Sequence, residues 1–187
     1  MVIELVEPDP TWGGQFEAIG RSLRSAFGPR ALRIDHIGST AVPGLLAKDV
    51  IDVQVTVQAF DGLGEILAGC GFALRPEVVF DHRPAGSAVP DEQLAKRFAQ
   101  TASPRRVNLH VRLAGRYNQR YPLLCRDYLR GHSEAARAYG EVKRHLSRIV
   151  GDVDAYYDVK DPVFDIIMAG AEAWAIASGW APGPSDA

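Results

Sequence analysis

The amino-acid sequence predicts an α+β domain, with a small mixed sheet in its first part and a helical C-terminal half. Three observations carry this prediction. Apolar and polar residues alternate in several short segments before residue 114, and apolar residues recur at helical spacing from residue 117 onward. The 187-residue chain also has the 47% hydrophobic and 24% charged residues of an ordinary globular protein. We predict a single domain over residues 1–180 and a flexible tail over 181–187.

The first part of the chain alternates between predicted strands and helices. A helix is predicted over residues 9–28, where apolar residues recur at helical spacing before Gly28. Residues 2–7 are predicted to be a short strand or an extended lead-in. The segment 81–105 is polar and rich in Pro, Gly and Ser, so it is predicted to be a loop, either a lid or disordered. Strands are predicted over 31–38, 49–57, 72–80 and 105–113, with a loop or single helical turn over 39–48 and a short helix over 61–71.

Three helices are predicted in the C-terminal half, over residues 118–132, 133–150 and 161–180. Ser133 and Asp161 are suited to cap the last two, with Pro162 at the first helical position. The most apolar late segment, residues 163–180, is interrupted by Asp165 and Glu172. It is therefore predicted to be a packed helix and not a membrane span.

Composition narrows the expected partners and location. The net charge of -2 gives no overall attraction to nucleic acid or to an anionic membrane. The arginines around residue 110 also lack the interleaved aromatic residues of a nucleic-acid stacking platform. The N-terminus does not resemble a secretory signal, and Cys70 and Cys125 belong to no metal-binding or disulfide pattern. We therefore expect a cytoplasmic protein with two reduced thiols and with no nucleic-acid or membrane partner.

Two predicted strands carry unusual polar faces. Asp52 and Gln54 alternate with apolar residues in one strand, and Asn108 and His110 do so in the other. Because Asp, Asn and His are poor strand formers, these faces favour a functional site. If the two strands are neighbours, the four side chains converge. The alternative is the ordinary solvated face of an antiparallel sheet.

A turn of small residues precedes the first of these strands. In the segment HIGST, Gly38 allows close approach of the backbone, and the Ser39 hydroxyl with nearby N–H groups can hold a phosphate oxygen. Lys48 can add a positive charge to the same phosphate. A Gly-Ser pair also occurs in ordinary turns. Its coupling to Asp52, thirteen residues after Ser39, makes the signal stronger.

The sequence resembles the GrpB-like family, within the nucleotidyltransferase superfamily of the DNA polymerase β type. The matching segments include EPDPTW, HIGSTAVPGLLAKDVIDVQVTV, NLHVR, LLCRDYLRGHSEAARAYGEVKR and YYDVKDPVF. The similarity extends to the GrpB-like domain fused to dephospho-CoA kinase in some actinobacteria, although no P-loop motif is present here. The resemblance implies a nucleotidyltransferase-like mixed sheet flanked by helices. It also implies a chemistry in which carboxylates hold Mg²⁺ ions, the ions bind a nucleotide triphosphate, and a hydroxyl attacks the α-phosphorus.

The sequence departs from the superfamily pattern at the expected acids. Asp52 matches the first catalytic carboxylate, but Gln54 stands where the second is expected, and Asn108 or His110 stands in place of the third. From the resemblance we predict Asp52 and His110 as catalytic residues, and Asp52, Gln54 and His110 as ligands of Mg²⁺ or Mn²⁺. A transition metal is the alternative, because imidazole favours it. The predicted phosphate-binding residues are Gly38, Ser39, Thr40, Lys48, Arg106 and Arg112.

Three functions stay open at this point. The first is binding of a nucleotide or another phosphorylated small molecule, with weak or altered nucleotidyl transfer. The second is a non-catalytic accessory module for a protein partner, as the kinase fusions suggest, and the third is a metal-dependent hydrolase. Lys143 and Lys160 are candidates for reaching a substrate, but we expect them to be solvated on helix surfaces. Ser39 lacks the sequence context of an acyl-transfer nucleophile.

Overall fold

A computed structural model describes residues 3–187, apart from the side chains of residues 153 and 154. The predicted lead-in over residues 2–7 lies partly outside this range, and Val6 forms a single bridge with Ala47. The strands are β1 (Arg33–Ile37), β2 (Ile51–Val57), β3 (Ala73–Leu74), β4 (Lys96–Thr101) and β5 (Val107–Leu113). The helices are α1 (Trp12–Phe27), α2 (Leu63–Gly69), α3 (Tyr117–Gly131), α4 (Ser133–Ile149) and α5 (Val153–Ser178).

The five strands form one mixed sheet in the order β1-β2-β5-β4-β3. Strands β2 and β5 run parallel, and the other neighbouring pairs are antiparallel. One face packs against α1 and α2 through a core that includes Ile51, Val53 and Val55. Helix α3 covers the other face, and α3, α4 and α5 share a second core. The α+β class with a helical C-terminal half is therefore confirmed, and the polar face of β2 is not the solvated surface that we kept as an alternative.

Helix α5 begins earlier than the sequence predicts. We expected a start at Asp161 with Pro162 in the first turn, but the helix starts at Val153 and Pro162 lies inside it. The Asp152 side chain accepts a hydrogen bond from the backbone N–H of Ala155 at 3.0 Å, and this cap fixes the start. The segment YYDVK therefore lies on the helix. There the hydroxyl of Tyr157 accepts a hydrogen bond from Lys48, which lies just before β2.

The polar segment over residues 81–105 contains a strand, and its first residues contact both the sheet and α5. Residues 96–101, predicted as loop, form β4 between β3 and β5, whereas the strand predicted over 72–80 shortens to two residues. Asp81 binds both Arg112 and Lys96 at 2.8 Å, and Nε2 of His82 lies 3.2 Å from Asp165 of α5. These contacts tie the start of the segment to the sheet and to the helical layer.

The tail, predicted to be flexible, packs along the free edge of β1. The backbone N–H of Ile34 donates to the hydroxyl of Ser185 at 2.8 Å, and that of His36 donates to the carboxylate of Asp186 at 2.9 Å. Buried Arg126 also donates to Asp186 at 2.6 Å. An edge strand has unpaired N–H groups, and these polar side chains satisfy them.

No helix in the described part of the chain is both long enough and apolar enough to cross a membrane. The two cysteines are unpaired, with Cys125 buried and Cys70 partly buried.

Candidate functional site

The register of β2 and β5 brings the two polar faces together. Asp52 lies opposite Asn108, and Gln54 lies opposite His110. The Asn108 amide donates to Oδ1 of Asp52 at 2.8 Å, and Nε2 of His110 lies 3.7 Å from the same oxygen. The two residues predicted to be catalytic, Asp52 and His110, therefore share one patch, where the Asp52 side chain remains 26% exposed.

Hydrogen bonding fixes the tautomer of His110. Arg112 donates to Nδ1 of His110 at 3.3 Å, so the neutral ring carries its proton on Nε2, which faces Asp52. Burial, reinforced by the charge of Arg112, lowers the pKa of His110 to about 4. Burial opposes ionisation of Asp52, but contacts with His110 and Asn108 and the charge of Lys48 outweigh it and lower the pKa of Asp52. At neutral pH a neutral imidazole thus stands beside an ionised carboxylate.

Gln54 and Arg112 lie within the fold and are bound to protein groups. Gln54 is fully buried, and its Oε1 accepts a hydrogen bond from Arg112 at 2.7 Å while its Nε2 donates to the carbonyl of Gln119 at 2.9 Å. Arg112 also donates to both carboxylate oxygens of Asp81 at 2.8 Å. The predicted roles of Gln54 as a metal ligand and of Arg112 as a phosphate ligand do not fit this placement, because both side chains are used within the core.

The turn after β1 passes very close to Asp52. Gly38 has a φ of 73° and a ψ of -172°, a conformation that only glycine adopts readily. A Cβ atom at this position would lie 2.5 Å from Oδ2 of Asp52. The hydroxyl of Thr40 accepts from Nε2 of His36 at 3.0 Å and donates to the carbonyl of Val50 at 3.3 Å. Thr40 therefore braces the turn from inside, which does not fit its predicted role as a phosphate ligand.

Ser39 contacts Lys143, a buried lysine that the sequence analysis expects on a solvated helix surface. Nζ of Lys143, on α4, donates to Oγ of Ser39 at 3.0 Å and also to the carbonyl of Leu46. Lys143 is only 2% exposed, so the expectation of a solvated helix-surface lysine is wrong. Burial, together with the charges of Lys160 and Lys48, lowers the pKa of Lys143 to about 7.

Two further lysines complete what we call the lysine cluster, defined as Lys48, Lys143 and Lys160. Nζ of Lys48 donates to the hydroxyl of Tyr157 at 2.6 Å, and Nζ of Lys160 lies 5.4 Å from the centre of the same ring. Lys160 pairs with Asp161 at 3.1 Å. Among the described side chains, no carboxylate forms an ion pair with Lys48 or Lys143. Lys48 and Lys143 therefore contact hydroxyl and carbonyl oxygens, whereas Lys160 pairs with a carboxylate.

The other predicted contributors lie outside this patch. Arg106 is exposed just before β5, and its role as a phosphate ligand stays a prediction. Asp49 points away from the site, as the strand alternation predicts, and accepts from Nε1 of Trp12 at 2.9 Å. Arg105 binds the same carboxylate at 2.6 and 2.7 Å. The tryptophan of the EPDPTW segment thus anchors α1 to the start of β2.

Sequence reasoning missed the contributions of the last two helices. The sequence analysis names Lys143 and Lys160 as candidates for reaching a substrate but expects them to be solvated, and it does not single out Tyr157. One signal was available: the chain has only four lysines among its 21 basic residues, and three of the four form the lysine cluster. Periodicity could not reveal this, because each lysine lies on a different element and only the packing of the helical layer brings them together.

The side chains of the patch do not fit a pair of divalent cations. Mg²⁺ requires hard oxygen ligands in octahedral geometry, so two ions need several carboxylates. Asp52 is the only carboxylate on the shared polar face of β2 and β5, and Asp81 is occupied by Arg112 and Lys96. Across the residues that the structure describes, no three His, Cys, Asp or Glu side chains are grouped to hold a metal ion.

Fold and site together define a class of protein. The chain has an α+β architecture in which a Gly-Ser turn opens onto a strand with an acidic residue, and this is the arrangement that the sequence resemblance implies. The particular family follows from comparison with known proteins. The model of the GrpB protein family matches residues 2–169, and the chain belongs to this family.

Individual relatives agree with this assignment. The chain is 39% identical to a dephospho-CoA kinase of Mycolicibacterium paratuberculosis over 96% of its own length, but it spans only 48% of that relative. It is 33% identical to a UPF0157 protein of Halalkalibacterium halodurans, covering 91% of the chain and 83% of the relative. It also resembles the crystal structure of the conserved protein GrpB from Enterococcus faecalis, with a TM-score of 0.70, 25% identity, and coverage of 91% of this chain and 99% of the other.

Proposed function

We propose that the protein binds a nucleotide or another phosphorylated small molecule, with its phosphates between the Gly38-Ser39 turn and the lysine cluster. The observation that carries the proposal is that Lys48 and Lys143 have hydroxyl and carbonyl partners rather than carboxylates, and that Lys143 donates to Ser39 in the turn beside Asp52. Clustered like charges are costly unless an anion neutralises them, and charge-assisted hydrogen bonds to phosphate are among the stronger polar contacts. The unpaired thiols support the cytoplasmic location that we include in the proposal.

Transfer of a nucleotidyl group is the reaction that this site favours, in a weak or altered form. An acceptor hydroxyl attacks the α-phosphorus of a nucleoside triphosphate, the new P–O bond forms as the bond to the departing pyrophosphate breaks, and Asp52 takes the hydroxyl proton. The Asn108 amide keeps the Asp52 carboxylate oriented through its hydrogen bond at 2.8 Å, and Nε2 of the neutral His110 lies 3.7 Å from the same oxygen. Because the pKa of Asp52 is lowered, this carboxylate is a weak base, which limits the rate.

Calorimetry tests the binding step. We expect ATP, GTP, CTP or dephospho-CoA to bind the wild-type protein and to raise its melting temperature. Substitution Lys48→Met should weaken binding about tenfold or more, because one charge-assisted contact is lost. The matched control is Arg137→Met, which removes one exposed charge from α4 and should leave binding within about twofold. Absence of binding and of any melting shift with all four ligands rejects the proposal.

Turnover is tested separately from binding. Wild-type protein, a labelled nucleoside triphosphate and a mixture of hydroxyl acceptors should release pyrophosphate slowly. Asp52→Ala should abolish this release while the protein still binds nucleotide. If Asp52→Ala turns over at the wild-type rate, Asp52 is not the base and the reaction proposed here is wrong.

A second candidate function is an accessory module for dephospho-CoA kinase. Relatives named as dephospho-CoA kinases are about twice as long as the region that this chain matches, which places a GrpB-like domain and a further region in one polypeptide. Helix α5 also exposes large apolar side chains, with Ile166 73% and Ile176 84% exposed. Such a face is suited to a protein partner.

Co-elution tests the accessory function. The protein is mixed with the dephospho-CoA kinase of the same genome, and a shared peak is expected in size-exclusion chromatography. Ile166→Glu should remove the shared peak, whereas Leu32→Glu, which changes an equally apolar residue exposed at 50% before β1, should not. Separate elution of the wild-type proteins at high micromolar concentration rules the stable complex out.

A further inference from the structure

We infer that the lysine cluster takes the place of divalent cations, so that this site binds the adjacent phosphates of a di- or triphosphate without Mg²⁺. The inference rests on the proposed function and deepens it, because it states how the charge of the ligand is neutralised. It separates this chain from the two-metal chemistry that the superfamily resemblance implies.

The polar face of β2 and β5 has too few acidic ligands for two divalent cations. Two divalent cations need several carboxylate oxygens, yet Asp52 is the one acid on the polar face, and Asn108 already donates to its Oδ1 at 2.8 Å. The position of the expected second acid is Gln54, which is fully buried and bonded to Arg112 and to the carbonyl of Gln119. This face therefore has too few carboxylate oxygens to hold a second divalent cation.

The three lysines of the cluster lie on three separate parts of the fold. Lys48 lies just before β2, Lys143 lies on α4 and Lys160 lies on α5, so three separate parts of the fold deliver a cation to one place. Nζ of Lys48 and Nζ of Lys160 lie 4.9 and 5.4 Å from the centre of the Tyr157 ring. Lys160 and Lys143 also lie over the neighbouring rings of Phe164 and Tyr139, so the three lysines are close together. The only other lysine of the chain, Lys96, is bound to Asp81.

The donors of the lysine side chains suit the oxygens of adjacent phosphates. Lysine offers a compact, strongly hydrated charge with three donors, and such a group can follow the oxygens of consecutive phosphates. Ser39 and Tyr157 already contact Lys143 and Lys48, so their hydroxyls mark where further oxygens would lie. A ligand with several adjacent negative charges is favoured over a monophosphate, because Lys48 and Lys160 are separate cations and a bound anion favours the protonated form of Lys143.

Substitution of Asp52 should change the affinity for phosphates in opposite directions in the two modes of binding. If a metal ion joins Asp52 to the phosphates, Asp52→Asn removes a ligand of the ion and weakens binding. If lysines alone hold the phosphates, Asp52→Asn removes a repulsive charge and tightens binding. We expect inorganic pyrophosphate and tripolyphosphate to bind Asp52→Asn about threefold or more tightly than wild type in calorimetry.

The same titrations are run in EDTA and in excess MgCl₂. Binding in EDTA should be at least as tight as in MgCl₂, because Mg²⁺ competes with the lysines for phosphate oxygens. Lys160→Met, whose side chain is partly exposed, should weaken pyrophosphate binding about tenfold. Arg137→Met should not, and circular dichroism is used to check that both variants fold.

The outcomes separate this inference from the proposed function. Binding that appears only with MgCl₂, or that Asp52→Asn weakens, overturns the metal-free mode but leaves the phosphate site in place. Equal binding by wild type and Lys160→Met overturns the role of the cluster. No binding of polyphosphates or nucleotides under either condition overturns both. Tight binding in EDTA that Asp52→Asn improves and Lys160→Met weakens is the result expected.

Discussion

At Gly38 the backbone comes so near to Asp52 that a single added carbon atom would collide with the carboxylate. We expect Gly38→Ala to lower the free energy of unfolding by about 2–3 kcal/mol, since it adds a steric contact to the conformational strain. Gly44→Ala is the control, because Gly44 has a similar φ of 76° but nothing within 4 Å. Urea denaturation measures both, and equal losses would mean that the approach to Asp52 is unimportant.

The buried amine of Lys143 makes stability depend on pH. Its pKa is about 7 in the folded protein, against 10.5 as the ordinary value, so between these limits the unfolded chain binds more protons. The free energy of unfolding should therefore rise from pH 7 to pH 9, by up to about 1.4 kcal/mol per pH unit from this group. The groups that act on it are Cys125, Lys48, Lys160 and Asp52.

Comparison with Lys143→Met isolates this contribution. The variant lacks the titrating amine, so the difference between wild-type and variant unfolding free energies should change in favour of the wild type as the pH rises from 7 to 9. Other groups titrate alike in both proteins. A constant difference over this range would show that Lys143 keeps an ordinary pKa.

At the scale of elements, the segment before β4 is held by a buried ion pair. Asp81 binds Arg112 and Lys96, and burial is outweighed by the charge of Arg112, so the pKa of Asp81 is strongly lowered. Asp81→Asn should cost about 3–5 kcal/mol, because two buried cations lose their partner. Asp91→Asn breaks an exposed pair with Arg83 in the same segment and should cost at most about 1 kcal/mol.

Denaturant unfolding of the two variants decides the point. Because the native carboxylate has a lowered pKa, its contribution is present at neutral pH and is lost as the pH falls below the ordinary range of an aspartate. The difference between the Asp81→Asn variant and the wild type should therefore shrink in acid. Similar losses at Asp81 and Asp91 would contradict the buried-pair argument.

The tail acts as a cover for the free edge of β1. We expect Asp186→Ala to speed amide exchange at His36 by about tenfold, because that N–H loses its acceptor. The amide of Leu32 is the internal control, since it donates to Thr56 of β2 at 2.8 Å and should stay protected. Exchange measured by NMR would contradict this account if His36 stays as protected as in the wild type.

At the scale of the whole molecule, the site joins the sheet to the helical layer. Asp52 and Ser39 belong to the sheet and its turn, whereas Lys143 and Lys160 belong to α4 and α5. A ligand that contacts both layers stabilises the folded state by mass action. Saturating pyrophosphate should therefore raise the temperature of one cooperative melting transition, and separate melting of the two layers would contradict this.

Much of the fold could be predicted because it follows from local patterns. Strand alternation placed β2 and β5, and helical spacing placed α1, α3 and α4 to within a few residues. The misses had physical causes. The sequence of β4 is typical of a polar loop, and it forms a strand because it pairs with β3 and β5. The start of α5 depends on a cap at Asp152 rather than on Pro162.

The sequence by itself determined the family and the α+β class, because these depend on short motifs and on the local periodicity of strands and helices. Only the tertiary structure decided which polar residues are available. It buried Gln54 and Arg112 in hydrogen bonds, turned Thr40 inward, and brought Lys143 to the turn. Whether a side chain faces a ligand or the core depends on what packs above it, and that information lies in elements more than fifty residues away.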